Sequence, residues 1–286
     1  MKHKILFVIL FLCTIAATAV RILQLIVMID PQTGFYYPQY ALAEPVLLGA
    51  LAVVLVMLLV VARLTGEDVP PEQLILKSPV LGVFTALLAV VSAVHVFDYI
   101  LGQTTFNMGT YAYIALVMLL FVFLLVFALS LFGLIDMPPL LCIIPSVYSA
   151  YRLAYIFIKY TGVIKVSDIL LDIVMLGFTM LFWHMCGKTV SGTGSPKTVK
   201  WLYGFGFPAA LISFVCAVPK YYIAFFLPDT ALHVSESISY FDIAVGVYII
   251  VFMMVLPFMQ RKPTAVRQNV TPPRGQRYVP RHFKAK

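Results

Sequence analysis

Apolar residues run along the chain in eight long blocks, at about 5–28, 45–62, 79–101, 111–134, 138–159, 168–186, 201–222 and 237–259, separated by short polar links. Blocks of about 20 apolar residues are the length an α-helix needs to cross the hydrocarbon of a bilayer. Strand-like alternation is absent, which excludes a transmembrane barrel. The predicted fold class is therefore all-α, a polytopic transmembrane helical bundle of eight spans, 1–259, followed by a tail, 260–286. The links are too short to hold an inserted soluble domain.

Composition agrees with the pattern. Of 286 residues, 62% are hydrophobic and 11% charged, against about 25% charged in a soluble domain. Lipid is thus the expected surrounding of most of the chain, in a multi-pass protein of the cell membrane. Charge places the ends. With the N-terminus cytoplasmic, the inner links and tail carry fifteen Lys/Arg and the outer links three, Lys159, Lys165 and Lys220. The positive-inside rule then puts both termini in the cytoplasm. Lys2, Lys4, the following apolar run and Ala17-Thr18-Ala19 also fit a cleavable signal peptide. The apolar stretch continues to Met28, longer than a signal needs, which favours an uncleaved first span.

The net charge of +8 equals the eight basic residues of the tail, which holds no acid. Basicity is therefore no sign of nucleic-acid binding by the body. Rich in proline and arginine, the tail is expected to be disordered and attracted to the anionic lipids of the inner leaflet.

The usual catalytic signatures fail on spacing. Gly187-Lys188-Thr189 lacks the glycine five residues earlier that a phosphate loop requires, since Phe182 stands there. Ser191–Pro196 reads as a flexible cytoplasmic turn. The histidines do not converge as a zinc site would need, and no cofactor is implied. Cys13, Cys142, Cys186 and Cys216 lie in or beside apolar blocks and read as buried, inert thiols.

Depth is the informative coordinate. In this orientation Arg21 of the first span and Arg152 of the fifth fall in the outer half of the membrane. His95 and Asp98 lie near the outer end of the third span, Asp168 and Asp172 open the sixth, and Asp242 opens the eighth. Helical spacing puts Arg21 with Gln24, His95 with Asp98, and Asp168 with Asp172 on shared faces. Tyr148, Arg152, Tyr155 and Lys159 form one stripe on the fifth span. An arginine at mid-bilayer costs about 2.5–3.5 kcal/mol on the insertion scale. Two readings follow. Arg21, Gln24, His95, Asp98, Tyr148, Arg152, Tyr155, Asp172 and Asp242 wall an outward-facing polar pocket for a small anionic ligand, since the guanidinium fork suits planar oxyanions. Alternatively Arg21 snorkels to the interface, Asp242 marks a helix end, and arginine–aspartate pairs merely hold helices together.

Arg21 in AVRIL and Arg152 in AYRLA are 131 residues apart, each followed by Thr-Gly (Thr33-Gly34, Thr161-Gly162). This suggests a 4+4 parallel repeat. The run RILQLIVMIDPQTGFYYP, from Arg21 to Pro38, resembles the opening of uncharacterised bacterial polytopic membrane proteins with an arginine in the first span. The resemblance covers that run and the eight-span layout, and implies no activity. Three functions remain open: a carrier or binding protein for an anion; a non-catalytic scaffold or accessory subunit; and an intramembrane enzyme acting on lipid headgroups, with His95 and Asp98 as acid and base.

Overall fold

The computed structural model describes residues 2–30, 36–65, 68–71, 74–160, 166–226 and 239–261. Among the described residues, eight helices are long and apolar enough to cross a membrane, so the chain is an integral membrane protein of all-α architecture. They are α1 (Lys2–Leu23, continued by a π-helical turn, Gln24–Met28), α2 (Ala43–Thr65), α3 (Pro79–Gly102), α4 (Met108–Leu131), α5 (Ile144–Tyr160), α6 (Val166–Val190), α7 (Thr198–Phe226) and α8 (Tyr240–Val255).

Local chemistry explains where helix ends differ from the hydropathy reading. The fourth span starts at Met108, not 111, because the Asn107 side chain caps it, accepting the Thr110 N–H at 2.9 Å. It stops at Leu131, not 134. Gly133 takes φ 78°, and the Leu134 N–H bonds the Leu129 carbonyl while the Gly133 N–H bonds that of Ser130, the two bonds of a Schellman motif. Gly192, at φ 69°, closes α6 in the same way, through Thr193 to Lys188 and Gly192 to Thr189. The fifth span was expected from 138. Its first residues, Pro139–Ile143, form a 3-10 turn instead, and Pro145 falls in the opening turn of α5, where a missing N–H costs nothing.

α7 is the hub. Its apolar window is 78% buried, against 22% for α1 and 28% for α2. It packs on α1, α2, α6 and α8. Gly206 lets Met253 of α8 approach so closely that a Cβ would lie 2.8 Å from its Cε, the close approach that small residues permit between membrane helices. Six helices close a ring, each packed on the next: α3, α4, α5, α6, α7, α8 and back to α3. α1 and α2 stand outside the ring, against α7.

The two halves pack differently. α6 packs on α7, whereas their counterparts in a 4+4 repeat, α2 and α3, do not form such a pair among the described residues, and α2 packs on α7 instead. Leu74–Ile75 and Gln260–Arg261 form a two-residue antiparallel ladder. This ties the first residues of the tail to the link between α2 and α3. Tail residues from 262 on, the Pro31–Phe35 and Thr161–Lys165 links and the side chain of Asp168 lie outside the described residues.

Candidate functional site

Inside the ring, α3, α4, α5 and α8 bring polar groups together. Arg152, in the middle of α5, is 6% exposed and Asp242, in the first turn of α8, is 5% exposed. They form a two-pronged pair: Nη1 to Oδ1 at 2.5 Å and Nη2 to Oδ2 at 3.0 Å. α5 and α8 are not consecutive in the ring, so this pair, with the edge-on contact of the Tyr148 and Phe241 rings at 6.0 Å, crosses the ring interior. The fork-to-fork arrangement is the strongest form of a guanidinium–carboxylate contact.

Asp242 is not merely a helix-end marker at the interface. It is the third residue of a capping box: its Oδ2 accepts the Ser239 backbone N–H at 2.9 Å. The carboxylate thus faces the positive end of the α8 dipole as well as Arg152. Replacing Ser239 with alanine is expected to lower stability by about 1 kcal/mol, the usual value of an N-cap, read from thermal unfolding in detergent.

Aromatic groups complete the site. Arg152 lies over the Tyr148 ring, 5.7 Å from its centroid. The Tyr148 hydroxyl is 3.4 Å from that of Tyr113 on α4, which is 2.8 Å from His95 Nε2 on α3. The imidazole stacks on Phe241, next to Asp242, at 5.6 Å and 11°. A continuous chain of contacts therefore runs from His95 near the outer rim to the central pair. Beside the pair is a cavity of about 10 Å³, lined by Tyr148, Ser149, Arg152, Thr179, Trp183 and Asp242 among others, room for one water at most.

Arg21 belongs to a second constellation. It is 3% exposed and does not reach for the interface. It donates to Gln24 Oε1 at 3.2 Å and to the Tyr36 hydroxyl at 3.1 Å. Gln24, in the π-helical turn, donates in turn to the Ala43 carbonyl at the start of α2, at 3.0 Å. The result is a clasp joining the outer ends of α1 and α2. Burial pushes the Tyr36 phenol up, against the opposing charge of Arg21, so its hydroxyl stays protonated and its oxygen accepts. Arg21 does not line the cavity beside Arg152. α1 meets the ring through α7.

The remaining expected site residues scatter. Asp172 is buried on α6, 1% exposed. Asp98 accepts from the Tyr240 hydroxyl at 2.6 Å on the exposed rim, and the His95 imidazole meets the ring of the same Tyr240 edge-on at 5.8 Å. Tyr155 departs from the stripe. It is 47% exposed, with its ring stacked on Tyr151. Tyr113 and Tyr36 carry no spacing signal that singles them out, and only the packing reveals their contacts. Ser239 had a readable signal, the Ser-x-x-Asp spacing before an apolar run. No group of three metal-ligating side chains occurs among the described residues.

Comparison of the chain with protein-family models, curated proteins and solved structures finds no match. The functional reading therefore rests on this chain's own residues.

Proposed function

We propose that the protein is a carrier or binding protein for a small oxyanion, with Arg152 as the anion-holding group and the Arg152–Asp242 pair as the lock of a closed state. The observation that carries this is the two-pronged pair reaching across the ring between two helices that otherwise meet only through side chains such as Tyr148 and Phe241, beside a cavity too small for any ligand larger than water. A buried ion pair is a poor device for stability alone, because apolar residues of similar volume often do as well or better. It suits exchange: a ligand carboxylate or phosphate presents the same planar oxygens to the fork that Asp242 presents in the closed state. Asp242 stays anchored by the Ser239 N–H when Arg152 turns to a ligand. Ligand affinity then has to exceed the internal pair, which makes entry of an anion and opening of the ring one event.

The test is uptake of a panel of radiolabelled small anions (carboxylates, phosphate, sulfate) into proteoliposomes. Wild type is expected to accumulate at least one, and Arg152→Lys, which keeps the charge but loses the fork, to fall below a tenth of that rate. Normal uptake by Arg152→Lys would remove Arg152 from the site. No uptake of any anion by wild type, together with a stoichiometric partner in mild detergent, would favour the accessory-subunit reading.

A further inference from the structure

Arg152 and Asp242 are buried and of opposite charge, so the closed pair is neutral. A singly charged anion that takes the place of Asp242 on the Arg152 fork leaves the Asp242 carboxylate buried without its counter-charge. An uncompensated buried carboxylate is costly, so the exchange calls for one positive charge to enter with the anion. Among the described residues, no lysine or second arginine lines the cavity beside the pair.

His95 can supply that charge. It is buried, and histidine is the side chain that ordinarily gains a proton between about pH 5 and 8. Its ring is set against the residues that lead into Asp242, stacked on Phe241 at 5.6 Å and edge-on to Tyr240 at 5.8 Å. The face of an aromatic ring attracts a cation. The polar groups around it come from four helices. Asp98 follows one turn later on α3, and the Tyr113 hydroxyl of α4 is 2.8 Å from Nε2. Tyr148 of α5 lies beyond Tyr113, with Arg152 over its ring. α8 brings Tyr240 and, next to Phe241, Asp242. Phenols do not become cations, so the imidazole is the member of this set that turns positive on taking a proton. Asp242 is the poorer acceptor of that proton. Its Oδ2 accepts the Ser239 N–H at 2.9 Å, at the positive end of α8, and both contacts favour a charged carboxylate. The rim offers a way in. Asp98 is exposed and accepts from the Tyr240 hydroxyl, whose ring touches His95.

We infer that His95 is the proton-binding group of this site, and that one proton travels with each singly charged anion. The inference rests on the reading of Arg152 as the anion-holding group. In the loaded state Arg152 holds the anion and the His95 imidazolium balances Asp242. When the anion leaves, Asp242 returns to Arg152 and the imidazolium gives up its proton, which restores the neutral closed site. Coupling of this kind is reciprocal: anion affinity rises as pH falls, and a bound anion favours the imidazolium.

The experiment uses the full chain in liposomes with radiolabelled gluconate and inorganic phosphate, against liposomes without protein. Exchange of labelled for unlabelled anion at equal pH on both sides reports the Arg152 site. An outside pH one unit below the inside is expected to drive accumulation of the exchanged anion by about tenfold, the ratio of proton activities. A protonophore is expected to abolish it, and His95→Gln to reduce it to the level without a gradient. Exchange without accumulation in wild type, or full accumulation by His95→Gln, would overturn the inference and leave the anion site standing. No exchange of either anion at any pH would overturn both. Nitrogen-15 NMR of the histidine-labelled wild type in detergent at pH 7 does not depend on the variant folding. Of the five histidines, one ring is expected to pass from the neutral to the imidazolium pattern when the exchanged anion saturates the protein. Unchanged ring signals with the anion bound would also overturn the inference.

Discussion

Arg152→Ala is expected to lower stability by about 3–5 kcal/mol, the cost of leaving one member of a buried ion pair uncompensated. The stranded group is Asp242, 5% exposed in the first turn of a helix apolar enough to span a membrane, where burial keeps bulk water from solvating a carboxylate. Loss of the guanidinium over the Tyr148 ring adds to the effect. Thermal or denaturant unfolding in detergent measures it. The informative companion is Arg152→Met with Asp242→Asn. It removes both charges, while the asparagine oxygen can still accept the Ser239 N–H that Asp242 accepts. This pair of substitutions is expected to unfold within about 1–2 kcal/mol of wild type, because the desolvation of two ions is saved along with their attraction. The same variant is expected to take up no anion. Recovered fold with lost uptake separates an exchangeable lock from a brace. A double variant as unstable as Arg152→Ala would show that the network around the pair, not its charge balance, holds α5 to α8.

Gly187→Ala is the second large effect expected, about 2–3 kcal/mol destabilising, toward the upper end for overpacking. A Cβ at Gly187 would stand 2.6 Å from the Cys142 carbonyl oxygen. The obstacle is backbone, in the 3-10 turn that leads into α5, so no side-chain rotation relieves it. α6 and the turn must move apart where the start of α5 meets the end of α6. Gly177, on the same helix with nothing within 4 Å of its would-be Cβ, supplies the control. Gly177→Ala is expected to be neutral or slightly stabilising, since alanine favours helix by about 1 kcal/mol over glycine. Equal unfolding of the two variants would refute the packing argument. The Gly-Lys-Thr sequence that invites a phosphate-loop reading therefore has a different explanation: its glycine is where a helix passes against a turn.

Much of the architecture was legible in the chain because its cause is local. A run of about 20 apolar residues becomes a helix wherever the backbone must bond to itself in lipid, so all eight spans could be counted without knowing their neighbours. Helix ends were less legible, since Asn107, Gly133 and Gly192 decide them through single hydrogen bonds that a hydropathy window averages away. The site was legible in kind only. Arg152, His95 and Asp242 could be recognised as polar groups within apolar spans and Tyr148 as sharing a helix face with Arg152, and a charge buried at membrane depth needs a partner. Which partner it takes was not legible. Arg21 and Arg152 look alike in sequence, yet one is bound by its own helix and the adjoining link, and the other by a residue 90 positions away.

The sequence by itself determined the all-α architecture and the eight helices apolar enough to span a membrane, because these follow from hydropathy along a single chain. Tertiary structure alone decided that α7 is the hub, that six helices close a ring with α1 and α2 outside it, and that Arg152 meets Asp242 across its interior. The physical reason is that helices in lipid have no hydrophobic drive to choose among neighbours. Close packing at small residues and the satisfaction of buried charge make that choice, and both depend on which surfaces meet in space.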